Sequence, residues 1–455
     1  MRKLTFSVVA LVMVTAVWAA PPANTVPSTT NVTYNKDIAP ILNNNCAVCH
    51  RSGEIGPMSL MNYKEVRPWA KSIKEKVMSR TMPPWFADPN HGKFANDRRL
   101  SDKEIATLVS WVDGGMKEGD AKDLPPTPNF TQGWNIGKPD VVFSMKDEYS
   151  VPADGVVDYQ YFMVPTNFTE DHWIQGAEIR PGARTAVHHV IVFVQDPPGS
   201  VRPEAGVQVK MPAGANDRRA GRGGAGGGAA AAAAARPRGE GGGNRSGGGG
   251  GGWMLIGTAP GDSGGIMREG TGKLVKAGST LMFQIHYTPN GKAVKDRTSI
   301  GLVFSKHAPE YEVKSLGVTN GTFVIPAGEG DYRVESSAVF TEDAIVWSMF
   351  PHMHVRGKSF DYNLVYPDGH RELVLSVPSY DFNWQGSYRF AKPLEVPKGA
   401  RLECTAYFDN SKGNKYNPDA SKDVKWGDQT WEEMMIGFMD YSVKSQRIAP
   451  KGASE

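Results

Sequence analysis

Five residues near the start of the chain have types and spacing that do covalent chemistry. Cys46-Ala47-Val48-Cys49-His50 sets two thiols three positions apart and places an imidazole directly after the second. Two thiols so spaced add across the two vinyl groups of one haem, and the adjoining histidine becomes the proximal ligand of the iron. A redox Cys-x-x-Cys pair would need a βαβ neighbourhood, and a zinc pair two further ligands nearby; the sequence offers neither. The motif therefore predicts one covalently attached haem c held by Cys46, Cys49 and His50.

A second set of chemistry-bearing residues lies among the remaining nine of ten histidines. His188-His189 is a tandem pair followed by Val190-Ile191-Val192-Phe193, His286 sits in Phe283-Gln284-Ile285-His286-Tyr287, and His352 and His354 flank Met353. Residues two apart on a strand face the same side, so His352 and His354 can share one metal ion. His188 and His189 face opposite sides of a regular strand and can act together only where the strand ends or bulges. Imidazole with a weak thioether suits copper. A lone strand histidine such as His286 is more often a satisfied core or surface residue, an HxH pair alone is a metal site in fewer than half of cases, and periodicity alone leaves only the pattern of a metal protein of unspecified purpose.

These groups must be positioned by two different kinds of structure. The segment around the haem motif has helical spacing: Ile38, Ile41 and Leu42 before it, Tyr63 to Met78 after it, and Ile105, Leu108, Val109 and Trp111 behind a Ser101/Glu104 capping box. Residues 119–140 carry Pro125, Pro126, Pro128 and Pro139 and read as a linker. Beyond it, short runs such as 187–194, 281–287, 344–349, 360–366 and 402–408 alternate with turn residues, the pattern of β-sandwiches. Residues 213–252, nearly all Gly, Ala and Arg, cannot bury enough apolar surface to offset ordering entropy and read as a disordered insertion.

A formal net charge of +3 over 455 residues gives no footprint for nucleic acid. Arg2 and Lys3 ahead of an apolar run, with Val17-Trp18-Ala19 as a cleavage site, predict a signal peptide over 1–19 and a periplasmic or secreted protein. No later segment is long and apolar enough to span a bilayer.

The helical order over 32–118 resembles class I cytochromes c. That resemblance implies a methionine as second iron ligand on a loop between the haem motif and the last helix. Met82, in the proline-stiffened Thr81-Met82-Pro83-Pro84-Trp85, is the best placed, with Met58, Met61, Met78 and His91 as rivals.

The β-rich part resembles the copper type II, ascorbate-dependent monooxygenases, the group of peptidylglycine α-hydroxylating and dopamine β-monooxygenases. The resemblance is carried, in order, by Asp171-His172-Trp173-Ile174-Gln175-Gly176-Ala177-Glu178-Ile179-Arg180-Pro181-Gly182, His188-His189-Val190, Gln284-Ile285-His286-Tyr287, His352-Met353-His354 with Gly357-Lys358, and Glu432-Glu433-Met434 leading to Tyr441. It implies two jelly-roll-like sandwiches, an N-terminal one over 141–308 and a C-terminal one over 309–445, each holding one copper ion. By motif, His188, His189 and His286 match the electron-storing copper, and His352, His354 and Met434 match the catalytic copper that takes dioxygen.

The activity implied is hydroxylation of a C–H bond of a small molecule, with electrons from an ascorbate-like reductant or a protein donor; the joining of a one-electron carrier to an enzyme that needs two single electrons suggests the haem as relay to the His188/His189/His286 copper. The same ligands also fit an electron-transfer or metal-binding protein on that scaffold without oxygen chemistry. Two departures bear on substrate. Phe350 stands where the peptide-amidating members carry a carboxylate-gripping arginine, and Phe438 where they carry a tyrosine, so an apolar or aromatic substrate is expected. Met435 replaces a common cysteine, which leaves Cys404 as a free buried thiol.

Overall fold

A computed structural model describes residues 31–52, 54, 56–128, 130, 133–210, 252–258 and 264–448. The leader expected over 1–19, and all but the last residue of the 213–252 stretch, lie outside them. Strand accounts for 38% of the chain and helix for 13%, so β-sandwiches dominate as the alternating runs predict. Among the described residues no helix is long and apolar enough to cross a membrane.

The helices gather at the N-terminal end and are short. Ala39–Asn45 follows a π-helical turn at Tyr34–Ile38. The helix expected in one piece over 63–78 is divided: Tyr63–Val66 and Ala70–Met78 flank a tighter turn at Arg67–Trp69. Pro68 causes this, because it has no N–H to continue the ladder. The capping box forms, with Ser101 and Glu104 bonding each other's backbone N–H, and it opens the helix Asp102–Asp113. These pieces close on a small core that includes Tyr34, Ile38, Leu42, Leu108 and Trp111.

The first sandwich has one sheet in the order Val141–Ser144, Ser299–Phe304, His172–Arg180, Thr271–Val275, Tyr311–Glu312, with Gly264–Ile266 also paired to His172–Arg180. Its other sheet runs Gln160–Pro165, Thr280–Tyr287, Val187–Gln195, Trp253–Thr258. The second sandwich sets Lys314–Thr319, Ile436–Val443, Ala344–His352 and Tyr388–Val396 against Arg371–Val377, Gly357–Val365, Arg401–Phe408, Tyr332–Phe340 and Val207–Lys210. Tyr332–Phe340, Gly357–Val365 and Arg401–Phe408 alternate buried and more exposed residues, the period-2 pattern of the sequence made physical, whereas Val187–Gln195, Thr280–Tyr287 and Ile436–Val443 are buried on both faces.

Two boundaries differ from those the sequence suggests. The 308/309 division does not separate the sandwiches cleanly. Val207–Lys210 crosses to pair with Ser337 to Phe340 of the second, and Tyr311–Glu312 returns to pair with Thr271 and Gly272 of the first. The proline-rich 119–140 stretch is also not a free tether at its C-terminal end. Buried Glu178 accepts hydrogen bonds from Asn135 Nδ2 (3.0 Å) and the Ile136 backbone (3.1 Å), and Arg180 lies over the Trp134 ring. A run without apolar periodicity docks through backbone and aromatic contacts that periodicity cannot register.

The helical part is strapped to the second sandwich by the segment after Met82. Asp88 donates from its backbone to Ser376 (2.9 Å), Ala95 to Arg389 and Ala391 to Lys93 (2.8 Å each), while Phe94 packs on Tyr388 and Phe390. Between the sandwiches, Lys273 is almost fully buried and donates to the carbonyls of Met254 and Leu255 and to Ser315 and Asp440 across the interface. The docked linker gives a direct test. Glu178→Ala strips Asn135 Nδ2, the Ile136 N–H and Arg180 Nε of their acceptor, is expected to cost about 2 kcal/mol, and should speed proteolytic cleavage within 119–140. Unchanged cleavage would mean that other contacts hold the segment.

Candidate metal centre

The tandem histidines sit where a strand irregularity is needed, and one is present. In the ladder between Val187–Gln195 and Thr280–Tyr287, His286 pairs with His189 and Tyr287 with Val187, so His188 is an extra residue in a β-bulge. The bulge turns His188 to the side of its neighbour. Ligand atoms of His188, His189 and His286 lie within 4.8 Å of one another. His188 Nδ1 is 3.1 Å from His189 Nδ1, a meeting of two ring nitrogens that a shared cation would satisfy. The outer nitrogens have partners that fix the rings: Tyr159 Oη lies 3.2 Å from His189 Nε2 and Thr430 Oγ1 3.0 Å from His286 Nε2.

The second pair lies at the end of Ala344–His352, in the opposite sandwich. His352 Nδ1 is 2.6 Å from Gln385 Oε1 and His354 Nδ1 3.1 Å from the carbonyl of Glu432, which leaves the other nitrogen of each ring for a ligand. The two rings stand 5.3 Å apart and nearly perpendicular. Glu433 supports them from beneath. Its fully buried carboxylate accepts from the backbone N–H of His354 (2.9 Å) and of Arg356 (2.7 Å). Met434 follows it directly, is buried, and packs into the interface cluster with Met254, Met282 and Phe438.

The two sets meet rather than standing apart. His189 and His352 are 6.1 Å apart between ring centroids, and Phe382 stacks on His188 at 4.5 Å while approaching His189, His286 and His354 edge-on or tilted. Burial depresses the basicity of all five rings, His188 and His352 to about 4 and His286 to about 3, with His189 and His354 also well below the usual histidine range. They are therefore neutral at physiological pH, the state in which a ring nitrogen can bind a metal. His188 Nε2, His286 Nδ1 and His354 Nε2 are buried with no hydrogen-bond partner. Orphaned imidazole nitrogens in a buried cluster fit copper, a borderline cation that prefers nitrogen and tolerates thioether sulfur.

The haem motif follows the helix Ala39–Asn45. His50 Nδ1 is 3.3 Å from the carbonyl of Met58, the orienting contact expected of a proximal ligand. Burial pushes the Cys46 thiol up to about 12 and also raises Cys49, the reverse of the depression a reactive Cys-x-x-Cys pair requires. A side chain at Gly56 would collide with the His50 ring, since a Cβ there would come 2.6 Å from Nδ1. The geometry thus fits thioether attachment better than redox exchange. Met82 stands at the root of the strap, its backbone N–H 3.3 Å from the Lys76 carbonyl. Met58 is the rival that touches the motif, through its carbonyl on His50 and its side chain against the helical core. Cys404 is free and fully buried, as its lack of a partner in the sequence implies.

Several supporting residues carry no signal that spacing could reveal. Tyr159, Gln385, Phe382 and Thr430 come from loops far from the histidine motifs in sequence and meet them only in the fold. Glu433 is part of the Glu432-Glu433-Met434 motif, but its grip on the His354 backbone is visible only in three dimensions.

No family model matches the chain, and no curated protein does. Among solved structures it is similar to a protein from Eubacterium rectale described as secreted, at 9% identity over 63% of this chain and 69% of that one, with a TM-score of 0.18. It is also similar to the infectious bursal disease virus VP2 subviral particle, at 9% identity over 70% of this chain and 77% of that one, with a TM-score of 0.20. Likenesses this weak do not bear on the site, whose reading rests on its own geometry.

The buried support under the His352/His354 pair is testable without any metal. Glu433→Gln sets an amide NH2 against one of the two backbone N–H groups that the acid accepts, leaving that donor unpaired in a fully buried place. It should lower stability to denaturant by about 1–3 kcal/mol. A change below one kilocalorie would show that the carboxylate is not what holds the loop.

Proposed function

We propose that the chain is an exported copper- and haem-dependent monooxygenase. It would hydroxylate a C–H bond of a small, apolar or aromatic substrate with dioxygen, the c-type haem passing electrons from an external donor. The observation that carries this reading is the convergence of five neutral imidazoles from three separate motifs, four of them buried and His188 half-buried, three of them with an orphaned nitrogen. When bound, copper supplies dioxygen chemistry and haem c supplies single electrons.

The chain's own residues divide the work. His188, His189 and His286 would hold one copper through a rigid bulge, with Tyr159 and Thr430 fixing ring orientation, an arrangement suited to a metal that changes charge without moving. His352, His354 and Met434 would hold the other through two imidazole nitrogens and a thioether, a donor set that favours the reduced ion. Cys46, Cys49 and His50 would hold the haem, with Met82 as the expected second iron ligand.

Contacts between the helical part and the first sandwich support an electron path. Glu54, four residues after His50, pairs with Arg184, four residues before His188, at 2.7 Å. Arg51 lies over the Phe130 ring at 4.2 Å. The segment of the haem motif is thus tied by one ion pair to the residues leading into the three-histidine cluster, and by a cation–π contact to the linker.

Metal analysis decides the reading. Protein matured in a host that attaches haem and then reconstituted with copper should contain two coppers and one iron per chain, and His352→Ala should lose one copper. Iron without stoichiometric copper would overturn it. If copper binds but the reduced protein does not react with dioxygen, the chain is an electron carrier on this scaffold instead.

A further inference from the structure

A cleft of about 480 Å³ opens between the two sandwiches beside the His352 strand. Its chemistry is graded along one face of the second sandwich. Ser348, Phe350 and His352 alternate along their strand and so point the same way. Asp440, Phe438 and Ile436 stand opposite them on the neighbouring strand, and Arg389 stands opposite Ser348 on the other side. The cleft lining therefore runs from a guanidinium to an aromatic pair, and the candidate copper ligand His352 stands on the same face one step beyond that lining. Phe350 and Phe438 are stacked at 5.7 Å and 17°, each ring centroid 6.3 Å from that of His352. Met254 and Ile256 of the first sandwich continue the apolar lining.

The charges in the cleft do not balance. Asp440 is taken up by Lys273, Ser315 and Ser348. Arg389 is only partly exposed, and its guanidinium has neither a hydrogen bond nor a carboxylate partner among the described residues; it lies along the strand Gly264–Ile266, where a Cβ on Gly265 would come 3.4 Å from Nη1. Arg268 at the rim is exposed and likewise unpaired. A half-buried guanidinium without a counter-ion has lost part of its hydration and gained nothing for it, which a bidentate carboxylate would correct.

We propose that the cleft binds an amphipathic carboxylate, an aryl- or alkylalkanoate, with its carboxylate on Arg389 and its apolar body on Phe350 and Phe438. Ser348 and His352 are four residues apart, about 13 Å along the strand, so the end of such a molecule remote from the carboxylate lies on Phe350 and Phe438 and points toward His352. As a binding site this stands on the cleft alone; as a substrate site it rests on the copper reading above.

The test is calorimetric titration of the full chain with phenylhexanoate and with the neutral phenylhexanol. The acid should bind at least about tenfold tighter than the alcohol, as a charge-assisted pair predicts. Arg389→Met should abolish that preference while leaving alcohol binding unchanged, and Phe350→Ala should weaken both ligands alike. Equal affinity for acid and alcohol, absence of acid binding, or an acid preference that survives Arg389→Met overturns the proposal. Copper content measured on the same preparations separates the two failures. Stoichiometric copper without acid preference removes the cleft assignment alone, and acid preference without copper leaves a carboxylate site but removes its catalytic role.

Discussion

A carboxylate with no access to water organises the centre of this protein. Glu433 accepts from two backbone N–H groups on the loop that carries His354, and the guanidinium of Arg356 lies 4.0 Å away. Burial pushes its carboxyl up to about 8, against the pull of those hydrogen bonds. Arg356 is in turn tied to Asn410 and to the carbonyl of Trp431, and the next residue along from Glu433 is Met434. One acid thus fixes, through backbone, the loop of one candidate ligand and the chain position of another. The site does not depend on long side chains finding each other; it depends on two loops being locked.

Much of this was legible in the sequence because it follows from spacing. Strand positions predicted by alternation fall within a few residues of the observed ones, and the requirement that His188-His189 needs a bulge was a geometric consequence of period 2. The capping box at Ser101 and Glu104 was equally local. What spacing could not give is anything that depends on which strand lies next to which. The near contact of His189 and His352, the wedge of Phe382 among four imidazoles, and the unpaired Arg389 are products of sheet order and of how two sandwiches face each other. Pro68 shows the same limit in miniature: apolar periodicity ran straight through it, and the missing N–H did not.

The three parts of the molecule are held by different physics. The sandwiches meet through Met- and Phe-rich packing around Met254, Met282 and Phe438, with one buried lysine satisfied from both sides. The helical part is held by main-chain pairing of its strap to Tyr388–Val396 and by Phe94 set among Trp85, Tyr388 and Phe390. Methionine-rich contact adapts easily to small shifts, whereas a backbone ladder does not. The strap end is therefore the rigid reference against which the interface between sandwiches can adjust.

The strand Val207–Lys210 has a consequence for how the chain is made. Its partner, Tyr332–Phe340, leaves the ribosome on the order of a hundred residues later, so the five-stranded sheet closes only after a long-range pairing of the kind that slows folding. Until then the early strand is an unpaired edge, open to association with other chains. Cutting the gene between the sandwiches would make that transient exposure permanent on both fragments. The unit of folding and of inheritance is accordingly the pair, and a functional half-molecule should not be found by dissection.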